Sequence, residues 1–192
     1  MLTLADILPN VEFVAQRRRR ETDILAAKAV RRLALGPNMT MLFENRDTCW
    51  WQVQEMCRVE HITQPEAIQH ELDTYNALLP NAESLSVTLL LEYDDPDERK
   101  RMLTALLGLQ DHVWLHLAGL PSVRARFDDQ QFNDVRISSV QFIRLPLVPG
   151  AFAALGDFAR AASIEISHPA APLTVPLPRT LRAALLDDLP QP

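Results

Sequence analysis

Cysteine and glycine are scarce in this chain. Its two cysteines, Cys49 and Cys57, form no CxxC motif. On a helix they would lie about two turns apart, too far for a disulfide bond. We therefore expect both thiols to be reduced, which favours the cytoplasm. None of the five glycines belongs to a phosphate-binding loop, and this argues against the usual nucleotide-binding sites.

Basic charge and long apolar runs are also lacking. The net charge of −6 argues against nucleic acid as a partner, because phosphate binding relies on a basic surface. The N-terminus has no basic start followed by an apolar run, so we expect no signal peptide. The most apolar late stretch, residues 145–162, is interrupted by prolines, a glycine and an aspartate, so no membrane contact is predicted. No serine lies in a G-x-S-x-G motif, and a nucleophilic enzyme is not indicated.

The 192 residues, 47% of them hydrophobic and 23% charged, are typical of a soluble globular protein. Helical and strand periodicities are mixed along the chain without a regular βαβ rhythm. This pattern predicts an α+β fold, with a largely antiparallel sheet and helices packed mainly on one side. We expect a single domain over residues 1–168. Residues 169–192 would form a proline-rich strap and a short C-terminal helix packed on that domain.

The first half of the chain gives the clearest local signals. Residues 10–29 are predicted to form a helix, whose apolar positions include Val11, Val14, Leu25 and Ala29. Strands at 31–35 and 39–43 flank a Gly-Pro-Asn turn, which predicts a hairpin. Asp47 is the expected N-cap of a helix reaching about residue 61.

Further signals follow along the chain. Thr63 to Glu66 matches a capping box with a proline in the first turn, and opens a second helix that stops at Pro80. Residues 86–93 end in a long apolar run, which suits a central strand. Residues 123–127 are another strand candidate.

The helix after Asp47 has two distinct faces on a helical wheel. The expected core face carries Cys49, Trp50, Val53, Met56 and Cys57. The opposite face carries Trp51, Gln54, Glu55 and Arg58. If this second face looks outward, Trp51 is an exposed aromatic ringed by polar groups, which is typical of a binding anchor. In the alternative interpretation, Trp51 packs on the sheet or the preceding helix, and Gln54 and Glu55 bond to backbone.

The residues just before this helix complete the predicted interaction surface. The connection between a predicted strand and this helix consists of Glu44, Asn45, Arg46 and Asp47. Such junctions often hold exposed functional groups on a fixed scaffold. The nearby run Arg17 to Arg20 points to all sides of its helix. We interpret it as a solvated segment with ion pairs inside the chain, and an acidic partner is the alternative.

A metal site is the second interpretation of the same region. Glu60 is directed at the core if the helix reaches it, and at solvent if the helix ends near Val59. Cys57 and His61 share a helical face but need further ligands. His112 and His116 share a strand face and could supply one or two. Because no HxxxH or Glu-x-x-His motif lies on a predicted helix, we predict no metal and no cofactor.

Several motifs together resemble a bacterial domain-of-unknown-function family, number 3501, with an LFENRDT…QxQEM signature. The resemblance is carried by Leu42 to Thr48, Gln52, Gln54 to Met56, Arg58 and Glu60, with later matches at Glu71-Leu72, Tyr75-Asn76, residues 139–142 and His168-Pro169. Members of the family look like gene neighbours of rubrerythrin-like proteins and iron–sulfur oxidoreductases. The resemblance therefore implies a cytoplasmic role beside electron transfer or oxidative stress. It implies no catalytic residues.

Three hypotheses follow. The first is a non-catalytic accessory protein of a redox system, whose partner is an iron–sulfur oxidoreductase or a rubrerythrin-like protein. It would bind through Glu44, Asn45, Arg46, Asp47, Trp51, Gln54, Glu55 and Arg58. The second is a metal- or small-ligand-binding protein, with oxidoreductase activity included, that uses Glu44, Glu55, Glu60 and Glu71 with His61 or Cys57. The third is a small-molecule sensor with a pocket between helices and sheet. All three hypotheses leave open whether the protein forms a homo-oligomer.

Overall fold

The structure is a computed structural model and describes residues 1–128 and 135–189. Contacts between residues divide the chain into two compact units. One unit contains Met1–Val30 and Glu44–Leu79. The other contains Arg31–Phe43 and the described part of Pro80–Pro192. Within the described ranges, no helix is long and apolar enough to cross a membrane.

The first unit is helical. It contains a 3-10 turn at Leu4–Asp6 and the helices α1 (Asn10–Arg31, all but its last residue), α2 (Arg46–Val59) and α3 (Pro65–Asn76). The N-cap of α3 is Gln64, and its side chain makes no capping bond. The predicted capping box at Thr63 is therefore wrong. Proline at the first helical position already lacks an N–H, so one fewer donor needs a cap.

Helix α1 packs through a different stripe from the predicted one. Val11, Val14 and Leu25 are 86%, 57% and 59% exposed, whereas Phe13 and Ile24 are buried. Phe13 makes edge-to-face contacts with the Trp50 and Trp51 rings, at centroid distances of 6.0 and 5.5 Å. The face of α1 with the larger side chains is the buried one, because an aromatic cluster buries more apolar area than valines and alanines can.

The second unit consists of antiparallel strands and short helices. In chain order the strands are β1 (Arg32–Ala34), β2 (Met39–Phe43), β3 (Ser84–Leu91), β4 (Val113–Leu117), β5 (Val123–Arg124), β6 (Arg126–Phe127), β7 (Val140–Pro146), β8 (Ala162–Ile166) and β9 (Leu173–Pro176). The helices are α4 (Pro96–Ala105), α5 (Ala151–Gly156) and α6 (Arg179–Asp188). The α+β class predicted from the sequence is confirmed.

The strands form two sheets within the described residues. One has the order β1-β2-β3-β7-β6 and the other β5-β4-β8-β9. The predicted hairpin is present as β1 and β2, and its turn uses Gly36 at a φ of +75°. The predicted central strand is β3, which pairs with β2 and β7. The strand expected over residues 123–127 divides at buried Ala125 into β5 and β6, which belong to different sheets.

The proline-rich segment is part of this second unit. Its strand β9 pairs with β8, and α6 buries Leu181, Arg182 and Leu185. The Arg182 guanidinium donates hydrogen bonds of 2.7 to 3.0 Å to the carbonyls of Ala154, Leu155, Asp157 and Arg160. Burial lowers the pKa of Arg182. The predicted domain boundaries, 1–168 and 169–192, stay a prediction, and the last three residues of the second range lie outside the described chain.

Candidate interaction site

The junction before α2 is a capped helix start. Asn45 is the N-cap, and its Oδ1 accepts from the Thr48 N–H at 3.0 Å, while Thr48 Oγ1 accepts from the Asn45 N–H at 2.9 Å. The Thr48 hydroxyl also lies 2.5 Å from Glu44 Oε2. The prediction that Asp47 is the N-cap is therefore wrong. Asp47 is an exposed residue of the first helical turn. Glu44 and Asn45 are buried, so they do not present the exposed groups that were expected at this junction.

Trp51 and Gln54 do not face outward as predicted. Trp51 is 6% exposed and Gln54 is fully buried. Trp51 packs on Phe13 of α1, and the Arg17 guanidinium lies 5.5 Å from its ring centroid. The alternative interpretation is confirmed for both residues, since Trp51 packs on the preceding helix and Gln54 bonds to backbone. The helical wheel placed Trp51 outside because it took Cys49 and Val53 as the centre of a single core face.

Gln54 and Asn76 fix the N-terminal segment. Gln54 Oε1 accepts from the Leu8 N–H at 2.6 Å, and its Nε2 donates to the Leu8 carbonyl at 3.3 Å. Asn76 makes the same pair of bonds to Leu2, at 2.7 and 2.9 Å. Each amide satisfies one backbone donor and one acceptor, as a neighbouring strand would. Several residues that carry the family resemblance therefore hold residues 2–8 against α2 and α3.

Asp6 in this segment has further partners. The Trp50 indole N–H donates to the Asp6 carbonyl at 2.8 Å. Arg46 forms an ion pair of 2.6 Å with the Asp6 carboxylate. A backbone hydrogen bond from Thr3 lowers the pKa of Asp6 most, and Thr3 and Arg46 side-chain bonds lower it further. The predicted site residue Arg46 is thus engaged within the chain, although its side chain is half exposed.

Glu55 bridges two arginines rather than backbone. Its carboxylate lies 2.8 Å from Arg17 Nε and 2.8 Å from Arg58 Nη2. Burial alone would raise the pKa of Glu55, but the hydrogen bonds from Arg58 and Arg17 outweigh burial and lower it. Arg17 also pairs with Glu21 at 3.1 Å. The interpretation of the arginine run as a segment with ion pairs inside the chain is confirmed for Arg17.

The carboxylates proposed as metal ligands do not converge. Helix α2 ends at Val59, so Glu60 and His61 are exposed beyond it, as the alternative interpretation expected for Glu60. Cys57 is buried, so it does not share a face with His61. Glu55 is paired with Arg17 and Arg58 instead. Glu44, Glu60 and Glu71 are near enough to Tyr75 to add to the rise in its pKa that burial causes. Over residues 1–128 and 135–189, no three His, Cys, Asp or Glu side chains are placed to hold a metal ion.

His112 and His116 are engaged in the second unit. His116 Nε2 lies 2.6 Å from Glu165 Oε2, and its Nδ1 lies 2.7 Å from Ser122 Oγ. His112 Nδ1 lies 3.1 Å from Ser167 Oγ. Val113, Leu115 and Leu117 of β4 are buried, whereas His116 and, just before the strand, His112 are partly exposed. The two histidines therefore share a face, as predicted.

A cleft between α1 and α2 is the best candidate for a binding site in the first unit. Its volume is about 250 Å³, and its lining consists of Arg20, Asp23, Ile24, Ala27, Asp47, Trp50 and Trp51. The Arg20 guanidinium lies 4.9 Å from the Trp50 ring centroid, and Gln16 Oε1 accepts from its Nη2 at 2.9 Å. Asp47 and Trp51 are the members of the predicted interaction surface that line this cleft.

The cleft has a carboxylate rim and an aromatic floor. Asp23 and Asp47 are exposed, and Trp50 is partly exposed between them and Arg20. One arginine against two aspartates leaves the lining with a formal charge of −1. Such a lining favours a cationic group over an anion. Arg20 and Asp23 were missed from the sequence, and the signal that could have found them is their spacing around Phe13 and Ile24 on α1.

The fold and this cleft define an α+β protein with a helical unit that carries a small cleft lined by acidic and aromatic side chains. The chain belongs to the family described as "Protein of unknown function (DUF3501)", whose model matches residues 1–189. The family predicted from the motifs is therefore confirmed. The chain is also similar to a crystal structure described as a novel protein of unknown function from Burkholderia pseudomallei K96243. That similarity has a TM-score of 0.91 and 30% sequence identity, over 98% of this chain and 99% of the other. Among curated proteins, none matches the chain.

Proposed function

We propose that the protein is a non-catalytic interaction protein whose α1–α2 cleft binds one basic side chain of a partner protein. The observation that carries this proposal is the pairing of the exposed Asp23 and Asp47 carboxylates with the Trp50 ring in one cleft. A lysine or arginine side chain meets both needs, because its charge pairs with the carboxylates and its head group stacks on indole.

The size of the cleft supports a side chain rather than a free cofactor. Pockets for small molecules and cofactors usually measure about 300–1,000 Å³. The cleft, at about 250 Å³, lies just below that range. A single long side chain fits such a volume, whereas a nucleotide or flavin does not. The rest of the contact with the partner would lie on the surrounding helix surfaces.

Arg20 shows how the basic side chain of a partner would be bound. Its guanidinium already stacks on Trp50 and is oriented by Gln16. A second basic group can approach the opposite edge of the cleft, where Asp47 lies in the first turn of α2. Each partly exposed charge contact is worth about 0.5–1 kcal/mol. The cleft would therefore add specificity to a larger interface rather than supply most of its affinity.

The family resemblance indicates where to look for the partner. Its implied gene neighbours are rubrerythrin-like proteins and iron–sulfur oxidoreductases, so we propose that the partner belongs to one of these classes. The chain itself carries a net charge of −6. A complementary partner would present a basic patch, and its association would weaken as salt screens the attraction.

The test is a binding titration between the purified chain and the purified neighbouring rubrerythrin-like or iron–sulfur protein. The Asp23→Asn/Asp47→Asn variant should bind about 5- to 30-fold more weakly, which corresponds to about 1–2 kcal/mol for two charge contacts. Asp73→Asn is the matched control, since it removes an exposed aspartate of α3 that lies outside the cleft. Unchanged binding by the double variant, or equal losses in the control, would refute the proposed site.

A further inference from the structure

A second pocket in the first unit lies beside the N-terminal segment, away from the α1–α2 cleft. Its volume is about 380 Å³. On one side it is lined by Leu4, Ile7, Leu8, Pro9, Asn10 and Val11, and on the other by Cys57, Ile62, Thr63 and Ile68. No residue is common to the two linings. This volume falls within the range of about 300–1,000 Å³ that small-molecule pockets occupy.

The pocket is apolar and uncharged. Most of its lining side chains are aliphatic, and among the described residues none of those that line it carries a formal charge. The Cys57 thiol stays neutral, because burial and then the nearby Glu71 raise its pKa. A carboxylate or ammonium group placed in this pocket would lose its hydration without gaining an ion pair. The lining therefore selects against charged ligands.

A few polar groups could orient a ligand. Asn10 Nδ2 donates to the Cys57 carbonyl at 3.1 Å, which fixes the amide at the edge of the pocket. Asn10 is partly exposed and Thr63 is exposed, and both line the pocket, so their polar atoms lie within reach of a ligand at its edge. Apolar pockets with a small number of such groups are typical of specific small-molecule sites.

The mouth of the pocket is apolar as well. Leu4 is 42% exposed and Val11 is 86% exposed, and both line the pocket. Isolated exposed aliphatic residues are ordinary on protein surfaces. Here they border an uncharged cavity, so an apolar ligand that enters would cover them too.

We propose that this pocket binds a neutral, mainly aliphatic molecule that carries one hydrogen-bonding group, such as a medium-chain alcohol or primary amide. A water molecule takes up about 30 Å³ of liquid. A pocket of about 380 Å³ thus has room for a ligand of roughly a dozen non-hydrogen atoms. The hydroxyl or amide would bond to Asn10 Oδ1 or to Thr63, and the chain would contact Ile62 and Ile68. This site is independent of the proposed function.

The wall made by residues 2–8 offers a route for entry. Beyond its own short 3-10 turn, its backbone is held by the side chains of Gln54, Asn76 and Trp50 rather than by strand pairing. Breaking a few such bonds opens a segment at a much lower cost than global unfolding. A ligand can then enter without disturbing α2 and α3.

The experiment is a titration of the ¹⁵N-labelled chain with 1-octanol and, separately, with octanoate at neutral pH, followed by NMR. We expect saturable shifts at the Cys57, Ile62 and Ile68 amides with the alcohol, and at least about tenfold weaker binding of the carboxylate. The Ile68→Trp variant should fill the pocket and abolish the saturable shifts. Val11→Asp places a charge at the mouth on an exposed position, so it keeps the fold, and it should weaken octanol binding about fivefold or more.

Val14→Asp is the matched control, because Val14 is exposed on the same helix but does not line the pocket. Its octanol affinity should stay within about twofold of the parent chain. The proposal is overturned by non-saturable octanol shifts, by octanoate binding as tightly as octanol, or by equal losses in Val11→Asp and Val14→Asp.

Discussion

The Gln54 side chain pairs with both backbone groups of Leu8, accepting from its N–H at 2.6 Å and donating to its carbonyl at 3.3 Å. Gln54 is fully buried, so neither end of its amide can exchange these partners for bulk water. The pair joins α2 to a segment 46 residues earlier in the chain. It explains why a glutamine occupies the interior of this helical unit.

Removing this amide should destabilise the first unit. Gln54→Met keeps the length of the side chain but leaves the Leu8 N–H and carbonyl without their partner. An unsatisfied buried polar group costs about 1–3 kcal/mol, so we expect the free energy of unfolding in urea to fall by about 2 kcal/mol. Hydrogen exchange at the Leu8 amide should accelerate by the factor that corresponds to about 2 kcal/mol.

Gln69→Met is the control for this prediction, since Gln69 is an exposed residue of α3 whose side chain donates to Asp73 Oδ1 at 2.7 Å. It should change stability by less than about 0.5 kcal/mol. If both variants behave alike, the Gln54–Leu8 pair does not contribute to the stability of the fold.

Glu55 should make stability depend on pH. Its pKa in the folded chain lies below the ordinary value of 4.5 because the bonds from Arg58 and Arg17 outweigh burial. A carboxyl group with a lowered folded pKa contributes stability above its unfolded pKa and loses it as pH falls through the folded pKa. Near neutral pH, Glu55→Gln should therefore be less stable by about 1 kcal/mol, discounted for partial exposure.

The difference between the parent chain and Glu55→Gln should shrink as the pH falls below about 4.5, the ordinary value for this carboxyl. Thermal unfolding followed by circular dichroism between neutral and acidic pH measures it. Glu83→Gln removes the same charge from an exposed loop and is the matched control for the change in net charge. A constant difference across the pH range would contradict the lowered pKa of Glu55.

Arg182 should be the most sensitive position in the second unit. Its guanidinium is buried and satisfies the carbonyls of four residues in and after α5. Arg182→Met would leave these acceptors unpaired, so we expect a loss of about 3 kcal/mol or more. Arg182→Lys should recover only part of it, because an ammonium group cannot match the planar fork of a guanidinium.

Arg179→Met provides the comparison in the same helix. Arg179 is exposed, and its guanidinium lies 4.7 Å from the Phe158 ring centroid. A partly exposed cation–π contact is worth about 0.5–1 kcal/mol. Chemical denaturation of the three variants should rank Arg182→Met as the least stable, and any other order would contradict this account of α6.

Elements with local signals were predictable from the sequence. The Gly36-Pro37-Asn38 turn between two apolar runs predicts the β1–β2 hairpin, and the apolar run ending at Leu91 predicts the central position of β3. In each case the turn or the run lies within a few residues of the element that it specifies. For the β1–β2 hairpin, antiparallel pairing follows from such a short connection.

The packing face of α1 could not be read from apolar periodicity alone. Its inward stripe contains Phe13 and Ile24 but also Arg17 and Arg20, whose guanidinium groups stack on Trp51 and Trp50. Arginine counts as polar in a hydrophobic pattern, although its aliphatic stem and planar head group pack well on indole. The valine and leucine stripe then looked more apolar than the true core face.

Several side-chain contacts that fix the fold join distant parts of the chain. Asn76 bonds to a residue 74 positions away, and Arg182 reaches carbonyls 22 to 28 positions away. No local pattern marks an amide or a guanidinium as the partner of a particular backbone group. The sequence could therefore suggest a candidate region around Glu44 to Arg58 but not which of its side chains are buried.

The most direct test of the central claim is whether the α1–α2 cleft accepts a basic side chain. The ¹⁵N-labelled chain can be titrated with a short acetylated peptide that contains arginine, and with the same peptide carrying citrulline, which has nearly the same shape but no charge. We predict that the indole N–H signal of Trp50 shifts with the arginine peptide alone, and that the shift weakens with salt and in the Asp23→Asn/Asp47→Asn variant. Equal shifts with both peptides, or none with either, would contradict the claim.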